Sequence, residues 1–152
     1  MKFSCILSTA IVCLLVAALV WAAEPVVRSC DILDYGFGHV QGAEAEASQD
    51  ATSFARARFQ VDTQSLVSPV AACDFGFTWS LRGEPVGGLT PVTIRLVLPD
   101  GSDMETTVMR AIGGEDTSFF RISDPDTAQR GKYQFTIVWQ DKVLAEQAFV
   151  IQ

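Results

Sequence analysis

Between Gly131 and Gln152 large apolar side chains recur at every second position. Tyr133, Phe135, Ile137 and Trp139 fall on one face of a strand, with Gln134, Thr136 and Gln140 on the other. Val138 breaks the alternation, as expected where the second face is partly covered. Gln140-Asp141-Lys142 can turn the chain, and Val143 to Ile151 runs back beside the first strand. A lone hairpin is marginal in water, so this one predicts further strands that cover its aromatic face.

The rest of the chain supplies them. Cys73 to Arg82 alternates as strongly, with Phe75, Phe77, Trp79 and Leu81 on one face and Asp74, Gly76, Thr78, Ser80 and Arg82 on the other. Val92, Ile94, Leu96 and Leu98 form an inward row; Pro99-Asp100-Gly101-Ser102 is a turn, and Met104 to Ile112 returns from it as a second hairpin. The Gly- and Pro-dense stretch from Arg82 to Pro91 reads as a connection. Ser118 to Ile122 is a short strand whose neighbouring Phe119 and Phe120 must point to opposite faces, so one of them is the less buried.

Upstream, Val26 to Tyr35 reads as an entry strand. The aromatic and glycine alternation that follows, Tyr35 to Gly42, marks a bulge or a close backbone approach. Ala43 to Ser53 lacks an apolar stripe and reads as a surface loop. Ala55 to Asp62 alternates as a half-exposed strand with Arg56, Arg58 and Gln60 toward water, a solvated face rather than an anion site. About eight short strands divided by turn signals, with no long helical period after the N-terminus, predict an antiparallel β-sandwich.

The N-terminus changes which residues belong to that sandwich. Lys2 is the only charge before Glu24, and the apolar run Ile11 to Trp21 ends in Val20-Trp21-Ala22. This is the pattern of a secretory signal peptide over residues 1–22, a signal helix with cleavage preferred after Ala22; retention as an uncleaved anchor is the alternative. Residues 23–152 then form one domain, large enough to bury a core unaided. Of 11 basic residues one is lost with the leader, leaving 10 against 18 acidic ones, a balance of −8. Such a surface argues against nucleic acid and, once the signal is removed, against an anionic membrane. Export places the protein in the periplasm or outside the cell, where disulfides persist. Cys30 and Cys73 are the two cysteines left, so they are a candidate bridge; two separately buried small side chains are the alternative.

Catalytic chemistry is hard to assemble from these residues. His39 is the only histidine, no nucleophile turn of the G-x-S-x-G kind is present, and Asp74-Phe75-Gly76 stands without any other kinase element. Gly36-x-Gly38 lacks the third glycine and the helix of a phosphate loop. Cys30, Cys73 and His39 lack zinc-site spacing. Asp100, Asp103, Glu115, Asp116, Asp124 and Asp126 could serve calcium, but no EF-hand or nonapeptide repeat organises them, and turns contain Asp for backbone reasons. The expectation is therefore a non-enzyme without metal or cofactor.

Three blocks carry a family resemblance. Gly131-Lys132-Tyr133-Gln134-Phe135-Thr136-Ile137, followed by Trp139, Asp141 and Leu144-Ala145-Glu146-Gln147-x-Phe149, is similar to the closing motif of the exported bacterial domain-of-unknown-function family numbered 3859. Ile32-Leu33-Asp34-Tyr35-Gly36 and Phe75-Gly76-Phe77 resemble its two other marks, in the same order. The resemblance implies an exported, immunoglobulin-like sandwich and no activity. Two roles follow as expectations. One is a module that binds a protein partner in the cell envelope; the other is a carbohydrate-binding module with exposed aromatics as stacking platforms. The candidate binding residues are Tyr35, His39, Phe120, Trp139 and Asp141.

Overall fold

A computed structural model describes residues 24–41, 58–68, 73–122, 126 and 128–152. The segment expected to be a signal peptide, residues 1–22, and the stretch Ala43 to Ser53 expected to be a surface loop lie outside the described residues, as does Arg56. Nine strands are described: β1 (Val26–Gln41), β2 (Arg58–Thr63), β3 (Val67–Ser68), β4 (Cys73–Glu84), β5 (Leu89–Val97), β6 (Asp103–Ala111), β7 (Glu115–Ile122), β8 (Gly131–Trp139) and β9 (Lys142–Ile151). They form a four-stranded sheet in the order β2-β1-β4-β7 and a five-stranded sheet in the order β3-β9-β8-β5-β6. All pairs are antiparallel except β3 with β9. The chain is thus a β-sandwich, with no helix among the described residues.

The core lies between the inward rows that the period-two pattern predicts. Phe75, Phe77, Trp79 and Leu81 of β4 face Val92, Ile94 and Leu96 of β5 and Tyr133, Phe135 and Ile137 of β8, all buried. Burying such aromatic and branched side chains removes roughly 2–3 kcal/mol worth of apolar surface each from water, which is the driving force for closing the two sheets. The Trp79 indole N–H, which a dry core would otherwise strand, donates to the Ser118 hydroxyl at 3.0 Å.

Several elements depart from the sequence expectation, each for a physical reason. The entry strand runs through the glycines to Gln41, with register shifts at Val27/Ser29 and Ile32/Asp34 against β4 and at Phe37/Gly38 against β2. The glycines permit close approach: a Cβ at Gly38 would lie 1.8 Å from the Gln60 carbonyl oxygen. Leu66 to Ser68 crosses to the other sheet, where the Leu66 carbonyl accepts from the Val150 amide at 2.7 Å. The connection after β4 is shorter than expected, and Pro91 lies inside β5, opposite Met109. Pairing of β5 with β8 begins only at Thr93, so the missing Pro91 amide has no neighbour to disappoint. The closing turn is Gln140-Asp141, both at positive φ (46° and 62°), a two-residue hairpin turn of the type that follows strand twist.

At the start of β8 the buried Tyr133 ring sends its hydroxyl back to the Gln129 carbonyl at 2.9 Å. This is the tyrosine corner of immunoglobulin-like sandwiches, in which a tyrosine early in one strand ties down the chain entering it. Tyr133→Phe is expected to cost about 1 kcal/mol. Urea unfolding at constant m checks it, and an unchanged midpoint would show the corner to be dispensable.

Candidate functional site

The residues singled out from sequence do not converge. Tyr35 and His39 lie on β1, and His39 Nδ1 is 2.8 Å from Asp62 Oδ2 on β2. Phe120 points inward from β7 against Phe75 and Tyr133, with ring centroids 5.6 and 5.4 Å away, so it is core and not a platform. Its neighbour Phe119 faces the other way and stacks on Phe59 of β2 at 6.3 Å. Trp139 is partly buried and gives its indole N–H to the Thr90 hydroxyl at 2.9 Å. Asp141 is exposed at the β8–β9 turn, at the opposite end of the sandwich from the Phe75, Tyr133 and Phe149 cluster that Phe120 joins. Among the described residues Tyr35 is the only aromatic side chain with high exposure, at 37%.

The candidate bridge is corrected by the register. Cys30 stands opposite Leu81 on β4, eight residues from Cys73, which separates the two Cα atoms by roughly 25 Å at strand rise. A disulfide needs them within about 7 Å. Cys30 is a free thiol, and burial, then the neighbouring Asp31 carboxylate, push it up from 9.0 to about 12 against a weaker opposing hydrogen bond from the Ser80 backbone. It therefore stays protonated at pH 8 and is expected to resist alkylation in the folded protein while reacting on unfolding. Because the folded value exceeds the unfolded one, stability is unaffected by this group below pH 9 and declines from there toward about 12. Rapid native labelling at pH 8, read by intact mass, would contradict this.

The polar clusters are structural. Asp74, only 6% exposed, accepts from Arg121 Nε at 2.8 Å and from its Nη2 at 3.0 Å, a two-point pair across β4 and β7. Arg110 of β6 pairs with Asp116 of β7, tying the two sheets at their open side; burial lowers the Arg110 value from its ordinary one. Asp100 accepts from the Ser102 hydroxyl and amide and from Gln129, which holds its carboxyl below the usual value. Among the described residues no three His, Cys, Asp or Glu side chains are grouped as metal ligands.

What stands out is the outer face of the five-stranded sheet. At its β8–β9 turn end, Leu89 and Met109 are 61% and 54% exposed beside the exposed Pro91, and Val86, in the loop that leads into β5, is 80% exposed. Register continues this apolar strip through the row Thr107, Thr93, Val138 and Val143, the last of these exposed. The strip is held by a fastened loop: the Gly87 amide donates to the Ile112 carbonyl at 2.8 Å, the Ile112 amide to Gly88 at 3.0 Å, and the Gly113 amide to Leu81 at 2.9 Å. Beside it β6 is the last strand of its sheet, and β7 is the last of the other, so both sheets present an unpaired edge on the same side among the described residues.

Sequence reading missed this surface because Leu89 and Pro91 sit in a stretch dense in turn residues. Met109, one exposed side chain in an alternating strand, is in itself ordinary. The placement of Met109 on the polar parity of its strand, beside Asp103, Glu105 and Thr107, was the available signal.

No family model matches the chain, and no curated protein matches it in sequence. Its fold matches the crystal structure of an immunoglobulin-like protein from Pseudomonas aeruginosa, with a TM-score of 0.51 and 20% identity over 87% of this chain and 99% of that one. The tyrosine corner, the two antiparallel sheets and this likeness together make the chain an immunoglobulin-like β-sandwich.

Proposed function

We propose that the chain is an exported, non-catalytic module of the bacterial cell envelope that binds a protein partner, and that it belongs to the exported family numbered 3859. One observation carries the binding role: the exposed apolar strip Val86, Leu89, Pro91, Met109 and Val143 lies beside an unpaired sheet edge. An apolar surface next to an open edge is costly to leave bare, since it invites association. A partner that covers it turns that liability into recognition. Export is supported by the leader pattern of residues 1–22.

The test is photocrosslinking in intact cells from single sites spread over both sheets, at Tyr35, Leu89, Met109 and Asp141. A reproducible protein adduct from at least one of them is expected, and none from any of them would sink the reading. Intact mass of the exported protein should place the new N-terminus at Ala23.

A further inference from the structure

We propose that the open edge of β6 takes up an extended, basic segment of the partner protein as an added antiparallel strand. This rests on the protein-binding role above and names its site and chemistry.

The phase of the β5–β6 ladder decides what the edge offers. At the turn the Leu98 amide donates to the Ser102 carbonyl at 2.8 Å and the Gly101 amide to Leu98 at 3.0 Å. At the far end the Ile112 amide donates to Gly88 and the Gly87 amide to Ile112. Both ends place the two-bonded pairs of this antiparallel ladder at Leu96/Met104, Ile94/Thr106, Val92/Val108 and Thr90/Arg110. The Pro91/Met109 pair falls between them, as it must with no amide on Pro91. Asp103, Glu105, Thr107, Met109 and Ala111 therefore turn their backbone N–H and C=O groups away from β5, toward the open side, where the Met109 carbonyl accepts from Arg110 Nη1 at 3.1 Å and the Ala111 carbonyl from the Gly114 amide at 3.2 Å. All but the half-buried Ala111 have exposed side chains, on the same outer face as the apolar strip. From Asp103 to Thr107, and at the Met109 amide, one row of residues thus carries both the open backbone groups and the side chains that would read a bound strand.

Charge selects the occupant. Arg95 lies opposite Glu105 but is engaged by Asp103 at 2.8 Å, which leaves Glu105 with no ion pair among the described residues. Pairing β6 with the β6 of a second copy cannot supply one. Two-fold antiparallel pairing that preserves the faces sets outer-row residues only against Asp103, Glu105, Thr107, Met109 or Ala111 of the other copy. A foreign strand can place a lysine or arginine opposite Glu105 and an apolar side chain opposite Met109. Read from its N-terminus, such a segment runs apolar, any, β-branched, any, basic.

The probe is an acetylated, amidated heptapeptide, Leu-Ser-Val-Ser-Lys-Ser-Lys, titrated into the isotopically labelled protein and followed by amide shifts. Shifts centred on Asp103 to Ala111 are expected. They should weaken about fivefold in affinity when both lysines become glutamates, and more in low salt. Binding should vanish when the peptide's Val and first Lys amides are methylated. Thr107→Pro removes an outward amide without breaking the β5–β6 ladder and should abolish binding; Glu105→Lys, which leaves the backbone alone, should reverse the charge preference. Binding that ignores peptide charge, shifts centred elsewhere, or none at all would overturn the proposal. So would concentration-dependent dimerisation lost in Thr107→Pro, since the edge would then belong to a second copy. If cellular crosslinks arise from Tyr35 or Asp141 but never from Met109, the binding role stands and the β6 edge does not.

Discussion

Phe75→Ala is expected to lower the unfolding free energy by about 4 kcal/mol, the most of any single truncation in this core. Phe75 is fully buried, and its ring lies 5.8, 5.6, 5.1, 6.3 and 5.1 Å from those of Phe37, Phe120, Tyr133, Phe135 and Phe149. Those five rings come from β1, β7, β8 and β9, so both sheets converge on one side chain. Removing it leaves a cavity that no neighbour can fill, because each ring is fixed by strands hydrogen-bonded on at least one side. A domain of this size holds about 5–15 kcal/mol in total, so the loss threatens folding at 37 °C. Phe119→Ala is the control: it removes one stacked partner, Phe59, on the outer face and should cost less than half as much. Guanidinium unfolding followed by tryptophan fluorescence measures both. A Phe75→Ala loss under about 1.5 kcal/mol, or equal losses for the two, would show that the aromatic cluster does not hold the sheets together.

The elements that fix this core were legible in the sequence because burial imposes a period of two. The rows of β4, β5 and β8 are read directly from Phe75 to Leu81, Val92 to Leu96 and Tyr133 to Ile137. Turn chemistry was equally local at Pro99-Asp100-Gly101-Ser102. What was not legible depends on register, which joins residues far apart in the chain. Cys30 and Cys73 form a natural pair on paper, yet Cys30 lies beside Leu81. The switch of the chain from β2 to β3 across the sandwich leaves no mark in Ser65 to Ser68 beyond short apolar residues. The binding surface is less legible still. Its backbone groups are free only because β6 ends a sheet, and its apolar strip exists only because Leu89, Met109 and Val138 are brought side by side.

Gly76→Ala is expected to cost about 3 kcal/mol across the whole domain, whereas Gly38→Ala, with the tighter clash, should loosen only one edge. An added Cβ at Gly76 meets the Ser118 carbonyl oxygen at 2.2 Å and the Phe119 Cα at 2.7 Å, both backbone atoms of β7. At Gly38 it meets the Gln60 carbonyl oxygen of β2 at 1.8 Å. Distance alone would rank Gly38 the worse; what each neighbour can do reverses the order. β7 cannot yield, because Ser118 is tied to the Trp79 indole, Phe120 is wedged among core rings, and Arg121 holds Asp74 at two points. Its displacement would break the core and the inter-sheet Arg110–Asp116 pair together. β2 is an edge strand as β7 is, but its Phe59 lies outside the main core cluster, so it can move away at the expense of its own ladder and the Phe59–Phe119 stack. Denaturant unfolding should show the larger midpoint shift for Gly76→Ala. Hydrogen exchange of Gly38→Ala should lose protection in Phe59 to Thr63 while β4, β5 and β8 keep theirs. Global loss of protection in Gly38→Ala would mean that β2 is part of the cooperative core, and the clash distance rather than the anchoring of the neighbouring strand would then set the cost.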